Sequence, residues 1–263
     1  MPSWDPAQYA RFADDRGRPF HDLLGRVGAR EPRAVVDLGC GTGELTASLL
    51  DRWPDAQVVG VDSSPEMVAA ARAVARGAPA GTLLVEEADL RDWVSRRDEA
   101  SCDVVVSNAA LQWVPDHLEL LPALVRLLAP GGWLAVQVPG NHGSPSHTIL
   151  RDLAAAAPWA PHVADVVRRP DLPGPQDYLT ALSALGYTVD VWETTYLHVL
   201  TGPDPVWEWM SGTGARPVLQ ALPADLREEF AAAYRARLRE AYPPQPYGTV
   251  LPFRRVFAVA GRD

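Results

Sequence analysis

Three carboxylates and three glycines, set at the ends of short apolar runs, are the residues of this chain whose types and spacing suit chemistry. Asp37 lies in Val35-Val36-Asp37-Leu38, and Gly39, Gly41 and Gly43 follow at alternate positions before a helix expected from Glu44. Glycine permits a tight turn and lets the backbone approach a ligand closely. Asp62 ends the run Val58-Val59-Gly60-Val61, 19 residues beyond Gly43. An acid at that place accepts hydrogen bonds from a ribose diol. Asp89 follows a third run, Val85-Glu86-Glu87-Ala88. Taken singly, each acid reads as a helix N-cap or a solvated loop end. Their repetition at three successive strand ends points to a bound ligand. A dinucleotide site also needs a glycine three residues after the second of its pair. Here that position is Glu44, whose charge opposes a pyrophosphate. The loop therefore reads as a site for a ligand without phosphates, which disfavours nicotinamide chemistry.

Residues so placed need a parallel sheet behind them. The pattern predicts strands at about 34–38, 57–61, 82–86, 102–107 and 132–138, with helices between them such as 43–52 and 65–76. Ser63-Ser64-Pro65-Glu66 is a helix start, with a capping serine and proline in the first turn. This alternation is that of a doubly wound α/β fold. Residues 1–33 read as an N-terminal helical lid with an apolar stripe through Phe20, Leu23, Leu24 and Val27. After the core at 34–139 comes a proline-rich connecting cap segment, 140–187, with helices near 146–157 and 178–185. Residues 188–263 supply two final strands, 188–200 and 250–260, expected to pair antiparallel. A helical insertion at about 203–242 and a loop at 243–248 separate them. Ligands on such sheets bind outside the carboxyl ends of the strands. The lid, the segment after strand five and the insertion are expected to roof that crevice.

Composition sets outer bounds. A chain of 263 residues buries one substantial core. A net charge of -9 argues against a nucleic-acid partner. All 24 basic residues are arginine, so any anion must be held by arginine, histidine or backbone amides. No apolar stretch approaches the roughly 20 residues of a membrane helix, and the first residues lack the features of a signal peptide. Cys40 and Cys102 form no ligand-like pair. A reduced, cytoplasmic protein with no metal site is expected.

The glycine-loop spacing resembles the first motif of S-adenosylmethionine (SAM)-dependent methyltransferases, whose ligand is a sulfonium zwitterion. Segments along nearly the whole chain resemble one family in particular, the trans-aconitate 2-methyltransferases. They include Trp4-Asp5-Pro6, Tyr9, Arg16, Arg18-Pro19, Asn108-Ala109-Ala110-Leu111-Gln112-Trp113, Gln137-Val138-Pro139 and Pro145-Ser146-His147. Further on come Val189-Asp190-Val191-Trp192, Thr194-Thr195-Tyr196, His198, Gly214, Arg216-Pro217, Tyr242-Pro243 and Pro252-Phe253-Arg254-Arg255-Val256-Phe257.

The resemblance implies a seven-stranded, Rossmann-like class I methyltransferase sheet with a helical cap inserted before the last strand. It implies SAM contacts from Asp37, Gly39, Gly41, Asp62, Ser63, Met67, Asp89, Leu90 and Asn108. It also implies transfer of the SAM methyl group to one carboxylate of trans-aconitate. Such a polycarboxylate is already ionised at neutral pH, so its oxygen needs no general base, and catalysis reduces to positioning and exclusion of water. No catalytic dyad is expected. Arginine offers a planar fork that matches a carboxylate. Arg18, Arg216 and Arg255 are the expected clamp, with Tyr9, Gln137, Tyr196 and His198 as further donors. The alternatives are a surface ion pair for each arginine and a satisfied structural histidine for His198. Trp113 is expected near the adenine or the substrate mouth. Two other functions stay open on sequence: a SAM-dependent methyltransferase of another small acid or natural product, and a non-catalytic SAM-binding protein.

Overall fold

The computed structural model describes residues 13–167 and 173–262. Tyr9 and Trp4-Asp5-Pro6 lie outside them. The seven strands are β1 (Ala34–Leu38), β2 (Gln57–Asp62), β3 (Leu83–Glu87), β4 (Cys102–Asn108), β5 (Leu128–Pro139), β6 (Thr188–Leu200) and β7 (Thr249–Gly261). They form one sheet in the order β3-β2-β1-β4-β5-β7-β6. The pairs β1–β2, β1–β4, β2–β3 and β4–β5 are parallel, and β7 runs antiparallel to β5.

Chemistry of the strands explains the order. Val35, Val36 and Leu38 in β1 and Val104, Val105 and Val106 in β4 are all buried. β-Branched runs without alternation suit strands covered on both faces. The helices are α1 (Ala13–Leu24), α2 (Glu44–Ala47), α3 (Leu49–Arg52), α4 (Pro65–Ala75), α5 (Leu90–Ser95), α6 (Leu121–Arg126), α7 (Pro145–Ala154), α8 (Ala160–Val163), α9 (Pro175–Ala184), α10 (Pro205–Ser211), α11 (Arg216–Ala221) and α12 (Ala224–Ala241). The stripe predicted near the start is real: Phe20, Leu23, Leu24 and Val27 are all buried. The single helix expected at 43–52 divides at Ser48 into α2 and α3. Ser48 Oγ donates to the Leu45 carbonyl at 2.7 Å, a local bond that competes with the helical ladder. Strand β5 starts four residues earlier than the predicted 132, with Gly131 at φ 75 inside it.

The chain divides into two compact units. The larger holds 13–139, 173–194 and 255–262, and with them most of the sheet. The smaller holds 140–167 and 195–254. In the smaller unit Tyr234 Oη donates to the Ser146 carbonyl at 2.7 Å, and the Ser146 amide donates to Tyr242 Oη at 2.9 Å. Two tyrosines of α12 and its end thereby fix the first turn of α7. An aromatic cluster of His198, Trp209 and Phe253 belongs to the same unit, with the His198 and Trp209 rings stacked at 4.9 Å. Among the described residues no helix is long and apolar enough to cross a membrane.

One carboxylate sets where the sheet begins. Asp103 Oδ2 accepts the Arg33 amide at 2.7 Å and the Ala34 amide at 2.9 Å, tying the entry of β1 to β4. Asp103→Ala leaves two backbone donors without their partner, and we expect a loss of about 1–2 kcal/mol. Thermal denaturation should show the midpoint falling by roughly 2–8 °C.

Candidate active site

Hydrogen bonds to β2 and within the turn hold the loop between β1 and α2. The Gly39 and Cys40 amides both donate to the Val61 carbonyl, at 2.8 and 3.0 Å, and the Gly43 amide donates to Cys40 at 3.1 Å. The Gly41 amide donates to Asp62 Oδ2 at 2.9 Å, while Asp62 Oδ1 accepts the Ser64 amide at 2.9 Å. A phosphate cradle needs free, convergent N–H groups. This loop has spent four of its amides on β2 and on itself, which agrees with the exclusion of phosphates drawn from Glu44.

Two glycines do different work. Gly39 has φ 85, and a Cβ there would lie 2.1 Å from Ala110 Cβ. Only glycine lets the loop after β4 seat directly on the loop after β1. Gly41 has φ 57, and a side chain there would meet no heavy atom within 4 Å. That is the open face on which a ligand can approach the backbone.

Carboxylates surround this face. Asp37 is buried, and Thr46 Oγ1 donates to its Oδ2 at 2.6 Å. Burial pushes its carboxyl up to about 6; the Thr46 hydrogen bond opposes the rise and the nearby Asp62 charge adds to it. Burial likewise pushes the Cys40 thiol far above its ordinary range, which leaves it an inert filler that contacts Gly60. Ser63 follows Asp62 at the end of β2. Met67 is buried on α4, its amide donating to the Ser64 N-cap hydroxyl at 3.4 Å. Asp89 is the N-cap of α5, its Oδ1 accepting the Arg91 and Asp92 amides at 2.9 and 3.3 Å, with Leu90 the first helical residue. The Ala88 amide donates to the Asp62 carbonyl at 3.0 Å, so the ends of β2 and β3 are held side by side.

A second polar group lies at the carboxyl ends of β4 and β5. Asn108 and Gln137 are partners in the parallel ladder. Across β5, Arg255 opposes Pro139, which sets it on the same face as Gln137, two residues away. Arg255 and Gln137 are both buried, and Arg255 Nη1 donates to Gln137 Oε1 at 3.2 Å. Two amide atoms are left over. Gln137 Nε2 and Asn108 Oδ1 are buried and have no hydrogen-bond partner among the described residues. An orphaned buried donor or acceptor costs about 1–3 kcal/mol, so a donor and an acceptor unpaired on adjacent strands have capacity for a polar partner.

The chain is 54% identical to a trans-aconitate 2-methyltransferase of Streptomyces avermitilis over 267 residues, covering 100% of this chain and 98% of that protein. A relative of the same description from Rhodococcus jostii is also 54% identical, covering 98% of each. The chain belongs to the trans-aconitate 2-methyltransferase family. A family model described as a methyltransferase domain matches residues 35–132, which runs from β1 into β5. The fold is also shared with solved structures of much lower identity. The YcgJ protein from Bacillus subtilis superposes with a TM-score of 0.62 at 16% identity, covering 93% of this chain and 98% of that one. A sarcosine dimethylglycine methyltransferase from Galdieria sulphuraria gives 0.59 at 13% identity, covering 98% and 91%. The Rossmann-like class I sheet expected from the sequence is thereby shown.

The remaining family positions separate between the two units. Arg18 is exposed on α1 in the larger unit. Tyr196, His198 and Arg216 belong to the smaller unit; Tyr196 and His198 are buried with stacked rings, and Arg216 opens α11. Arg254 alternates with Arg255 as expected, and its Nη1 donates to the Gly140 carbonyl at 3.2 Å. Sequence reasoning missed Thr46, the partner of Asp37. It also missed the role of Ala110 under Gly39 and the pairing of Gln137 with Arg255. A hydroxyl nine residues after Asp37 is the one local signal that pointed to the first.

The raised Asp37 carboxyl has a consequence for stability. Its folded value of about 6 exceeds the ordinary 3.8, so the folded state holds the proton more tightly. Protonation favours folding below about pH 4, and the benefit is lost as pH rises through 6. The full difference is about 3 kcal/mol. Asp37→Asn should remove this decline, and urea titrations between pH 4 and 7 should show a flatter dependence for the variant than for the native protein.

Proposed function

We propose that this protein methylates one carboxylate of trans-aconitate, with SAM as the methyl donor, to give a methyl ester. The observation that carries the proposal is the pair of unmatched amides at the ends of β4 and β5, beside a buried arginine. It is supported by the identity to relatives that bear this activity in their names. When bound, SAM supplies a methyl group activated by its sulfonium.

The residues of the larger unit fit such a donor. Its loop amides are spent and its rim is acidic, which suits a cationic ligand rather than a phosphate. Asn108 Oδ1 is the acceptor an ammonium group needs. Gly41 provides the open backbone, and Asp62 is placed at the end of β2 for a ribose diol. Ser63, Met67, Asp89 and Leu90, from the ends of β2 and β3 and the helices that follow, would complete the contacts.

Gln137 Nε2 and the Arg255 guanidinium act on the acid. A carboxylate accepts from both, and in a buried setting these charge-assisted bonds are stronger than in water. They fix which oxygen is presented and neutralise the charge as water is excluded. No proton has to be removed, because the substrate oxygen is already an anion. Orientation of this kind lowers a barrier by roughly 7–11 kcal/mol when complete. Arg18, Arg216, Tyr196, His198 and Tyr9 are proposed as further polycarboxylate contacts on the family resemblance alone. Two buried free cysteines support a reducing, cytoplasmic setting.

Methyl transfer from labelled SAM to trans-aconitate, with cis-aconitate, isocitrate and citrate as competitors, tests the reading. Efficient turnover of trans-aconitate supports it; SAM binding without turnover of any of the four moves the substrate to another acid. Gln137→Leu and Arg255→Ala should each raise KM for trans-aconitate, by about 10-fold and 100-fold or more respectively, for loss of a neutral and of a charged hydrogen bond. Their affinity for SAM in calorimetry should stay native. Asp62→Ala should do the reverse, weakening SAM binding by about 10-fold or more as the Gly41 and Ser64 amides lose their acceptor.

A further inference from the structure

The loop from Ala109 to His117, between β4 and α6, is held in a conformation its own residues resist. Ala109 has φ 55 and Asp116 has φ 49, left-handed values at both ends of the loop in residues other than glycine. Such conformations persist only where the surroundings impose them, and they concentrate where a fold fixes a ligand. Four contacts impose this one. The Ala109 amide donates to the Gln137 carbonyl at 2.9 Å. Gln112 Nε2 donates to the Ala109 carbonyl at 2.6 Å. Ala110 is seated on Gly39. An Arg91 guanidinium nitrogen donates to the Pro115 carbonyl, joining the loop to the helix that Asp89 caps.

The far end is closed by a buried relay. His117 is 2% exposed and Tyr178, on α9, is 1% exposed. Their Nε2 and Oη atoms are 2.5 Å apart, with the rings stacked. Burial holds the His117 ring below its ordinary pKa, so it stays neutral, while the Val114 backbone opposes that shift. The imidazole tautomer sets which of the two donates, and either tautomer pairs with the Tyr178 hydroxyl. Both partners are within the larger unit, 61 residues apart in sequence.

We infer that Tyr178 and His117 are positioning residues: their relay latches the 109–117 loop onto the glycine loop and sets the affinity for SAM. The inference rests on the functional reading above. With the relay intact, the loop holds Ala110 against Gly39 and keeps Asn108, its immediate predecessor, at its place in the ladder. Without it, Asp116 and Ala109 relax toward ordinary backbone angles. The binding-competent fraction then falls, and the apparent dissociation constant rises in inverse proportion.

The test uses the full chain and three variants, Tyr178→Phe, His117→Leu and His117→Gln. Glutamine accepts and donates as the histidine does; leucine does neither. Amide hydrogen exchange without ligand should show protection over 109–117 reduced in Tyr178→Phe and His117→Leu and restored in His117→Gln. Calorimetry should show the Kd for SAM raised about tenfold in the first two, the effect of a competent fraction of roughly one tenth, and near native in the third. KM for trans-aconitate at saturating SAM should not change. Native protection and native Kd in Tyr178→Phe and His117→Leu overturn the inference. So does a loss of protection throughout the larger unit that His117→Gln fails to rescue, because that is the mark of a general folding role. If the native protein binds no SAM, the functional reading falls and takes the inference with it. Native SAM binding with unaltered variants removes the inference alone.

Discussion

The Val61 carbonyl and the Asp62 carboxylate, at the end of one short strand, consume the amides of the loop that follows another. Gly39 and Cys40 donate to the first and Gly41 to the second. Everything at this end of the sheet depends on that exchange. A glycine-rich turn ahead of a helix is by default an anion site, because its N–H groups point outward and are unpaired. Turning them onto β2 removes the positive potential and leaves the acids as the local charge. The same bonds fix the angle at which β1 hands the chain to α2, and so the position of Gly39 under Ala110. One pattern of backbone pairing therefore sets both the local charge at this strand end and the seat of the loop beyond β4.

Polarity then changes sign across the sheet. Around the glycine loop the side chains are Asp37, Glu44 and Asp62; three strands away the buried charge is the Arg255 guanidinium. The change coincides with the change of strand direction, for β7 is antiparallel to β5 while β4 is parallel to it. Parallel strands bring only residues at their carboxyl ends to this edge. An antiparallel strand brings the residue at which its pairing with β5 begins, and that is how Arg255 comes to stand beside Gln137. A methyl donor that is cationic and an acceptor that is anionic require such a division.

The positions of the central strands β1 and β4 were legible because their β-branched runs are short and almost wholly buried. Asp37, Gly39, Gly41 and Asp62 stood out in the sequence because acids and glycines recur at the ends of consecutive predicted strands. What joins distant segments was not legible. The Gln137–Arg255 bond depends on the register of two strands 118 residues apart, and no local pattern encodes register. His117 and Tyr178 look like an ordinary loop histidine and a helix tyrosine until the fold puts them in contact. Asp89 shows the opposite difficulty: the same carboxylate satisfies the demands of a helix cap and of a ligand site, and sequence cannot apportion it between them. The division of the predicted helix at Ser48 turned on a single side-chain bond, which is weaker than any periodicity.

The sheet order carries a consequence for the making of the protein. The strand last in chain order, β7, is an interior strand with β5 on one side and β6 on the other. During synthesis, β6 and the outer edge of β5 must wait, unpaired, while the three helices α10 to α12 are translated. Leu197 and Val199 on β6 stay exposed even in the finished fold, and no lysine is present anywhere to guard an edge. The nascent chain therefore passes through a stage with two open, apolar edges and its longest-range pairing still to come. Of all its stages, that is the one at which the chain has most need of a chaperone.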